Sequence, residues 1–148
     1  MTRQLCTFRV GSFLYGVDVL DVQEVISAQP LTRVPLASRE LRGLINLRGQ
    51  IVAAIDLRRR LGFDDSDPGG PPMNVVVRVG GNAVSFLVDE IGDVVEVDES
   101  LSSAIPDTVP EAIRRLVTEV YKFDHELLHV VDAVRAAALP AESGAPSR

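Results

Sequence analysis

The sequence predicts a mainly β protein, built as two similar small β-barrels with short helices. Three observations predict it. The apolar residues are aliphatic, with valine dominant: hydrophobic residues make up 46% of the 148, aromatics only 5%, and there is no Trp. Valine is β-branched and packs well on a pleated surface. Short apolar runs are broken by glycine-containing pairs, as hairpins require. The order of runs and turns in the first half also recurs in the second.

The elements follow in order. Leu5 to Val10 reads as a strand, Gly11-Ser12 as a turn and Phe13 to Val19 as the returning strand. In Asp18 to Ile26, Val19, Val22 and Val25 recur at helical spacing, yet valine favours strands, so both assignments stay open. Pro30 and Pro35 bracket a short extended stretch. Leu44 to Leu47 and Gln50 to Ile55 flank Arg48-Gly49 and predict a hairpin turning at Gly49. Asp56 is expected to cap a short helix, its carboxylate accepting from the free amides of the first turn, and Gly62 to stop that helix.

Asp64 to Pro72, DDSDPGGPP, has no apolar anchor and is expected to be an exposed linker loop. It divides the chain into a first subdomain, 1–63, and a second, 73–139, with the terminal strand free to cross over. Met73 to Val79, Gly80-Gly81 and Ala83 to Val88 predict another hairpin. Pro110 to Val117 predicts a short helix, since proline is tolerated in a first turn. Val120 to Phe123 and Leu127 to Val131 form a further hairpin around Asp124-His125. Asp132 caps a final helix ending near Leu139, and 140–148 is expected to be a disordered tail.

The internal repeat is specific in its register. At an offset of 76 positions, Ile45 meets Tyr121, Leu47 meets Phe123, Ile55 meets Val131 and Asp56 meets Asp132. At an offset of 69, Val10 meets Val79, Gly11 meets Gly80, Val22 meets Ile91 and Val25 meets Val94. Coincident glycine turns and aspartate caps favour duplication over chance matching of valine-rich strands.

Composition narrows the function. A net charge of −6 and a pI of about 4.9 argue against a nucleic-acid partner. The single cysteine, Cys6, forbids an internal disulfide, fits a reducing compartment and reads as a buried small hydrophobe. No signal peptide and no apolar run of membrane-spanning length occur, so a soluble cytoplasmic protein with no direct membrane insertion is expected by elimination. The sequence contains no G-x-S-x-G, HExxH or P-loop. His125 and His129 fall on a predicted hairpin with no cysteine neighbour, which favours a turn residue and a strand residue over a zinc pair. Carboxylates such as Asp64-Asp65 and Glu96, Asp98 and Glu99 read as solvated faces. No enzymatic activity, metal or cofactor is expected.

One local feature opposes the acidic background. Arg39, Arg42, Arg48, Arg58, Arg59 and Arg60 fall within a short span. With 14 Arg and one Lys in the chain, a solvated face and a protein-binding anchor patch both remain open.

At Arg42-Gly43-Leu44-Ile45-Asn46-Leu47-Arg48-Gly49-Gln50-Ile51-Val52, followed by Ile55-Asp56-Leu57-Arg58, the sequence resembles the CheW family. Phe8 to Gly11, Tyr15 to Val19 and Val22 to Val25 resemble that family's opening, and Phe86 to Val94 its second-half signature. The resemblance spans about residues 5 to 139. It implies two SH3-like five-stranded β-barrels and a scaffold that couples chemoreceptors (methyl-accepting chemotaxis proteins) to a CheA-type histidine kinase. It implies two partners, the cytoplasmic hairpin tip of the receptor and the kinase regulatory domain, and recruitment to membrane-associated receptor arrays. By resemblance, Val22, Glu24, Gly43 and Arg48 mark the receptor-binding groove: Val22 by apolar contact, Gly43 by admitting a helix close to the backbone, Arg48 by pairing with a carboxylate. Ala53-Ala54 stands where the family usually has a proline. No receiver or kinase segment is present, so neither the CheV type nor CheA itself is expected. A CheW-like module of another chemosensory pathway, controlling surface motility, development or a second messenger, is the alternative.

Overall fold

The valine-rich runs form ten strands in the computed structural model, which describes residues 1–63 and 71–139. They are β1 (Thr2–Val10), β2 (Phe13–Asp18), β3 (Val22–Ile26), β4 (Leu41–Leu47), β5 (Gln50–Asp56), β6 (Met73–Val79), β7 (Asn82–Val88), β8 (Glu90–Asp98), β9 (Val117–Phe123) and β10 (Glu126–Val131). Three short helices accompany them, α1 (Leu57–Arg60), α2 (Glu111–Arg114) and α3 (Ala133–Ala137). The open stretch Asp18 to Ile26 resolves into a 3-10 turn, Val19–Asp21, capped by the Asp18 carboxylate, and then β3. The expected helix at 110–117 contracts to α2, and the last helix ends at Ala137 rather than Leu139.

The strands form two five-stranded sheets, ordered β8-β1-β2-β10-β9 and β3-β6-β7-β5-β4. Each curls over a small core of its own, as SH3-like barrels do. The ladder stays open between β8 and β9 in one and between β3 and β4 in the other.

The strands are not shared out between 1–63 and 73–139 as expected. The β1–β2 hairpin joins β8, β9 and β10 from the second half, while β6–β7 joins β3, β4 and β5 from the first. The exchange takes place at two short links. Three residues carry the chain from β2 to β3, and Asp89 alone carries it from β7 to β8. At both corners the chain turns out of its sheet instead of folding back as a hairpin, and the next strand joins the opposite sheet. The exchange is symmetric. Replacing each strand by its repeat partner converts one sheet order into the other. The parallel pairings obey the same offsets: His129 opposes Tyr15 in the first sheet as Ala53 opposes Val84 in the second. Residues 64–70 of the expected linker and the expected tail at 140–148 lie outside the described residues.

Three cores result. Leu5, Leu14, Val97, Tyr121, Leu128 and Val130 fill the first barrel. Ile45, Leu47, Val52, Ala54, Val76 and Leu87 fill the second. A larger core lies between the sheets, with Phe8, Tyr15, Phe86, Val75 and Val77 fully buried. Successive strand residues face opposite sides. Val76 therefore points into its own barrel while Val75 and Val77 point into the shared core, which explains uninterrupted valine runs where a one-sided sheet would alternate. Each large side chain in that core contributes about 1.5–3 kcal/mol by leaving water. Cys6 lies in the shared core, and burial pushes its thiol up.

Candidate protein-interaction site

The β4–β5 hairpin turns at Arg48 and Gly49, whose φ angles of 52° and 87° both lie in the left-handed region. A two-residue type I′ turn needs such angles because they match the twist of the strands. The Asn46 side-chain oxygen accepts from the Gly49 amide at 2.8 Å and locks the turn. No Cβ clash would arise at Gly49, so backbone conformation alone explains that glycine. The turn projects Arg48 outward, with its side chain 68% exposed.

Across the open side of the same barrel, β3 carries a β-bulge. Val22 opposes Val77 and Glu24 opposes Val76, so two steps on β3 match one on β6. A bulge re-aims the side chain it carries. Here Glu24 meets Arg48 in an ion pair that spans the gap between β3 and β4. Gln23 donates to Glu24 at 3.2 Å, and Arg78 donates to Gln23 at 2.8 Å, extending the string of polar contacts along the barrel. The Arg48 hydrogen bond, then that of Gln23, holds the Glu24 carboxyl below its usual range. The pair therefore persists at acid pH and is lost only as pH falls through that depressed value. Exposed pairs contribute little to stability, so its consequence is the placement of two charges at the mouth of the barrel.

Val22 and Gly43 stand apart from this pair. Val22 is half-buried and packs against the shared core. Gly43 is buried, and a Cβ there would come within 2.5 Å of the Thr32 carbonyl oxygen. Thr32 exchanges backbone hydrogen bonds with Leu44 at 2.9 and 2.8 Å, laying residues 31–33 along the outer edge of β4. The backbone that approaches Gly43 is thus the chain's own.

The arginine cluster divides among internal partners. Arg42 pairs with Asp56 at 3.1 Å, Arg58 with Asp89 at 2.9 Å, and Arg60 donates to the carbonyls of Arg135 and Ala136 at the end of α3. Asp56, 6% exposed, also accepts from the Arg59 amide at 3.2 Å and so caps α1. Gly62, at φ 85°, follows α1, and a Cβ there would meet Ala112 at 2.7 Å. Asp132 caps α3 through the Arg135 amide at 3.1 Å, but its side chain is 32% exposed. The two caps form an internal comparison. Asp132→Ala is expected to cost about 1 kcal/mol, the usual value of a cap. Asp56→Ala removes a cap and also the ion pairs to Arg42 and Arg59, which are themselves partly exposed, and is expected to cost about 2 kcal/mol. Urea unfolding of both variants measures the difference.

Asp89 escaped notice in the sequence. It accepts from the Gly11 amide at 2.8 Å as well as from Arg58, tying the β1–β2 turn to α1. Its place in the Phe86–Val94 motif was the available signal. His129 is buried on β10, its Nδ1 lying 2.9 Å from the Leu14 carbonyl, while His125 is exposed in the turn. Among the described residues, no cluster of three or more His, Cys, Asp or Glu side chains is placed to hold a metal. Among the described residues, no helix is long and apolar enough to cross a membrane.

Two exchanged five-stranded barrels with charged and apolar groups at their rims define a two-barrel β protein. Comparison with known proteins makes the class specific. A model of the CheW-like domain family matches residues 4–139, and the chain belongs to that family. It is 29% identical to the chemotaxis protein CheW of Bacillus subtilis over 130 residues, 88% of this chain and 83% of that one. It is 28% identical to a probable chemotaxis protein CheW of Rhizobium etli, covering 88% and 84%. Among solved structures it matches the scaffolding protein TtCheW of Thermoanaerobacter tengcongensis with a TM-score of 0.79 and 27% identity, covering 89% and 90% of the two chains.

Proposed function

We propose that this chain is the adaptor that couples chemoreceptors to a CheA-type histidine kinase. On this reading it binds the receptor's cytoplasmic hairpin tip at the rim of the second barrel and the kinase regulatory domain elsewhere. It works in the cytoplasm, held at membrane receptor arrays by its partners. The observation that carries the reading is the Glu24–Arg48 pair across the open side of that barrel. The resemblance implies receptor contact at both positions, and a bulge and a type I′ turn bring the two side chains together. A helix laid along that rim takes its orientation from the fixed charges.

The test is a titration against a receptor-tip fragment and, separately, a CheA regulatory domain from the same organism. Arg48→Glu is expected to weaken receptor binding at least tenfold, about 1.4 kcal/mol, and to leave kinase binding unchanged. If the pair organises the groove, Glu24→Arg combined with Arg48→Glu restores most of the loss. Binding of the wild-type chain to neither partner would defeat the adaptor reading in favour of a CheW-like module of another chemosensory pathway.

A further inference from the structure

The two barrels cover their open sides in the same way. After β3 the chain lays residues 31–33 along the outer edge of β4, where Thr32 and Leu44 exchange two backbone hydrogen bonds. After β8 it lays Ser103 along the outer edge of β9, where Ser103 and Val120 exchange two, at 2.8 and 3.0 Å. Leu44 and Val120 are repeat partners at the offset of 76. The two straps differ at the residue that comes just before. In the first barrel it is Glu119, whose carboxylate pairs with Arg3 at 2.8 Å. In the second it is Gly43, where even a Cβ would collide with the Thr32 backbone. A strap can therefore bond to a rim strand and still leave room for a long side chain. The barrel architecture does not demand the close seat at Gly43. That seat is peculiar to the second barrel, whose open side also carries the Glu24–Arg48 pair.

We propose that Gly43 is a positioning residue for receptor binding: it takes no contact from the receptor's helical tip and acts by seating residues 31–33, which form the wall of the docking surface beside β4. This role rests on the receptor reading above and deepens it. The resemblance implies receptor contact at Gly43, but that residue is buried and the atoms over it are those of Thr32. A helix approaching the gap between β3 and β4 meets the outer side of the strap instead. Leu31 is anchored against the core of the second barrel, while Thr32 and Arg33 are exposed. A side chain at position 43 lifts this surface relative to the fixed charges of Glu24 and Arg48, and a binding constellation tolerates little such displacement.

The experiment separates the strap from the glycine. Thr32→Pro removes the amide that donates to the Leu44 carbonyl, and so frees the strap while leaving Gly43 in place. Fast hydrogen exchange at the Leu44 amide, which donates to the Thr32 carbonyl, reports the release. The full-length chain, Gly43→Ala, Thr32→Pro and the double variant are titrated with a receptor-tip fragment and with a CheA regulatory domain. Each single variant is expected to weaken receptor binding about tenfold. The double variant should bind within about twofold of the weaker single one, because both changes act through one element. Thr32→Ser, which keeps the amide, should bind as the wild type does. Kinase binding should stay unchanged throughout, which a general loss of structure would not allow. Unchanged receptor binding by Thr32→Pro with a freely exchanging Leu44 amide would overturn the role of the strap, as would losses that add in the double variant or that fall equally on both partners. A wild-type chain that does not bind the receptor tip would instead defeat the receptor reading, and this role with it.

Discussion

Gly43→Ala is expected to lower stability by about 3 kcal/mol. The added Cβ would come within 2.5 Å of the Thr32 carbonyl oxygen and 3.1 Å of its carbonyl carbon. These are backbone atoms, so no side-chain rotation can relieve the contact. Either β4 shifts, or residues 31–33 leave its edge and give up both backbone hydrogen bonds to Leu44. The glycine also has φ 157°, a conformation that L side chains rarely adopt. Losses of this size come from a short list of mechanisms, and backbone strain with a broken ladder is one of them. Chemical unfolding gives the magnitude, and hydrogen exchange at Thr32 and Leu44 gives the route. Fast exchange confined to those two amides would mean that the strap detaches while β4 stays. A loss below about 0.5 kcal/mol would show that the strap does not press on Gly43. The result matters for function as well, since any effect of this variant on partner binding must first be corrected for a displaced strap beside the groove.

The candidate site was legible in part. The turn at Arg48-Gly49 can be read from two apolar runs around a glycine-containing pair, because the φ requirement of a type I′ turn leaves few residue choices. The bulge on β3 was not legible. A bulge inserts one residue without any composition of its own, and Val22-Gln23-Glu24-Val25 contains no glycine to mark it. The contact of Glu24 with Arg48 depends on that inserted residue. The bulge on β8 shows the converse. It does contain a glycine, Gly92, which lies so close to Thr7 that a Cβ would sit 2.5 Å from the hydroxyl oxygen. β8 itself was not anticipated. As an edge strand it carries Glu90, Asp93, Glu96 and Asp98, and such charges hide a strand from any pattern of alternation while protecting its free edge from aggregation. The arginine cluster shows a further limit. Six arginines near one another in sequence suggested one patch, but short helices and turns send them toward separate partners, including Asp56, Asp89, Glu24 and the end of α3.

Cutting the chain between 63 and 73 is expected to leave two fragments that are each unfolded alone and that fold together when mixed. The repeat suggests the opposite. Two copies of the same strand order, separated by a Pro/Gly-rich stretch, look like two units that stand independently. What the repeat cannot reveal is which copy each hairpin joins, because β1–β2 and β6–β7 have the same pattern and either would cover β9–β10. The structure shows the exchange at the corners Val19–Asp21 and Asp89. Alone, residues 1–63 would hold the β1–β2 hairpin without β8 and β10, and β3, β4 and β5 without β6 and β7. Both faces of Phe8 and its neighbours would be exposed, and the shared core would lose Val75, Val77 and Phe86. A lone hairpin is marginal in water, and strands without their sheet bury too little to offset chain entropy. Circular dichroism of each fragment should show no cooperative melt. The equimolar mixture should regain one, at a temperature that rises with concentration because folding has become bimolecular. A cooperative melt of either fragment alone would mean that a hairpin can return to its own half, forming an unexchanged barrel despite the short corners at Val19–Asp21 and Asp89. The intact chain, in turn, should unfold in a single transition, since no cut through it separates one barrel from the other without dividing the core that they share.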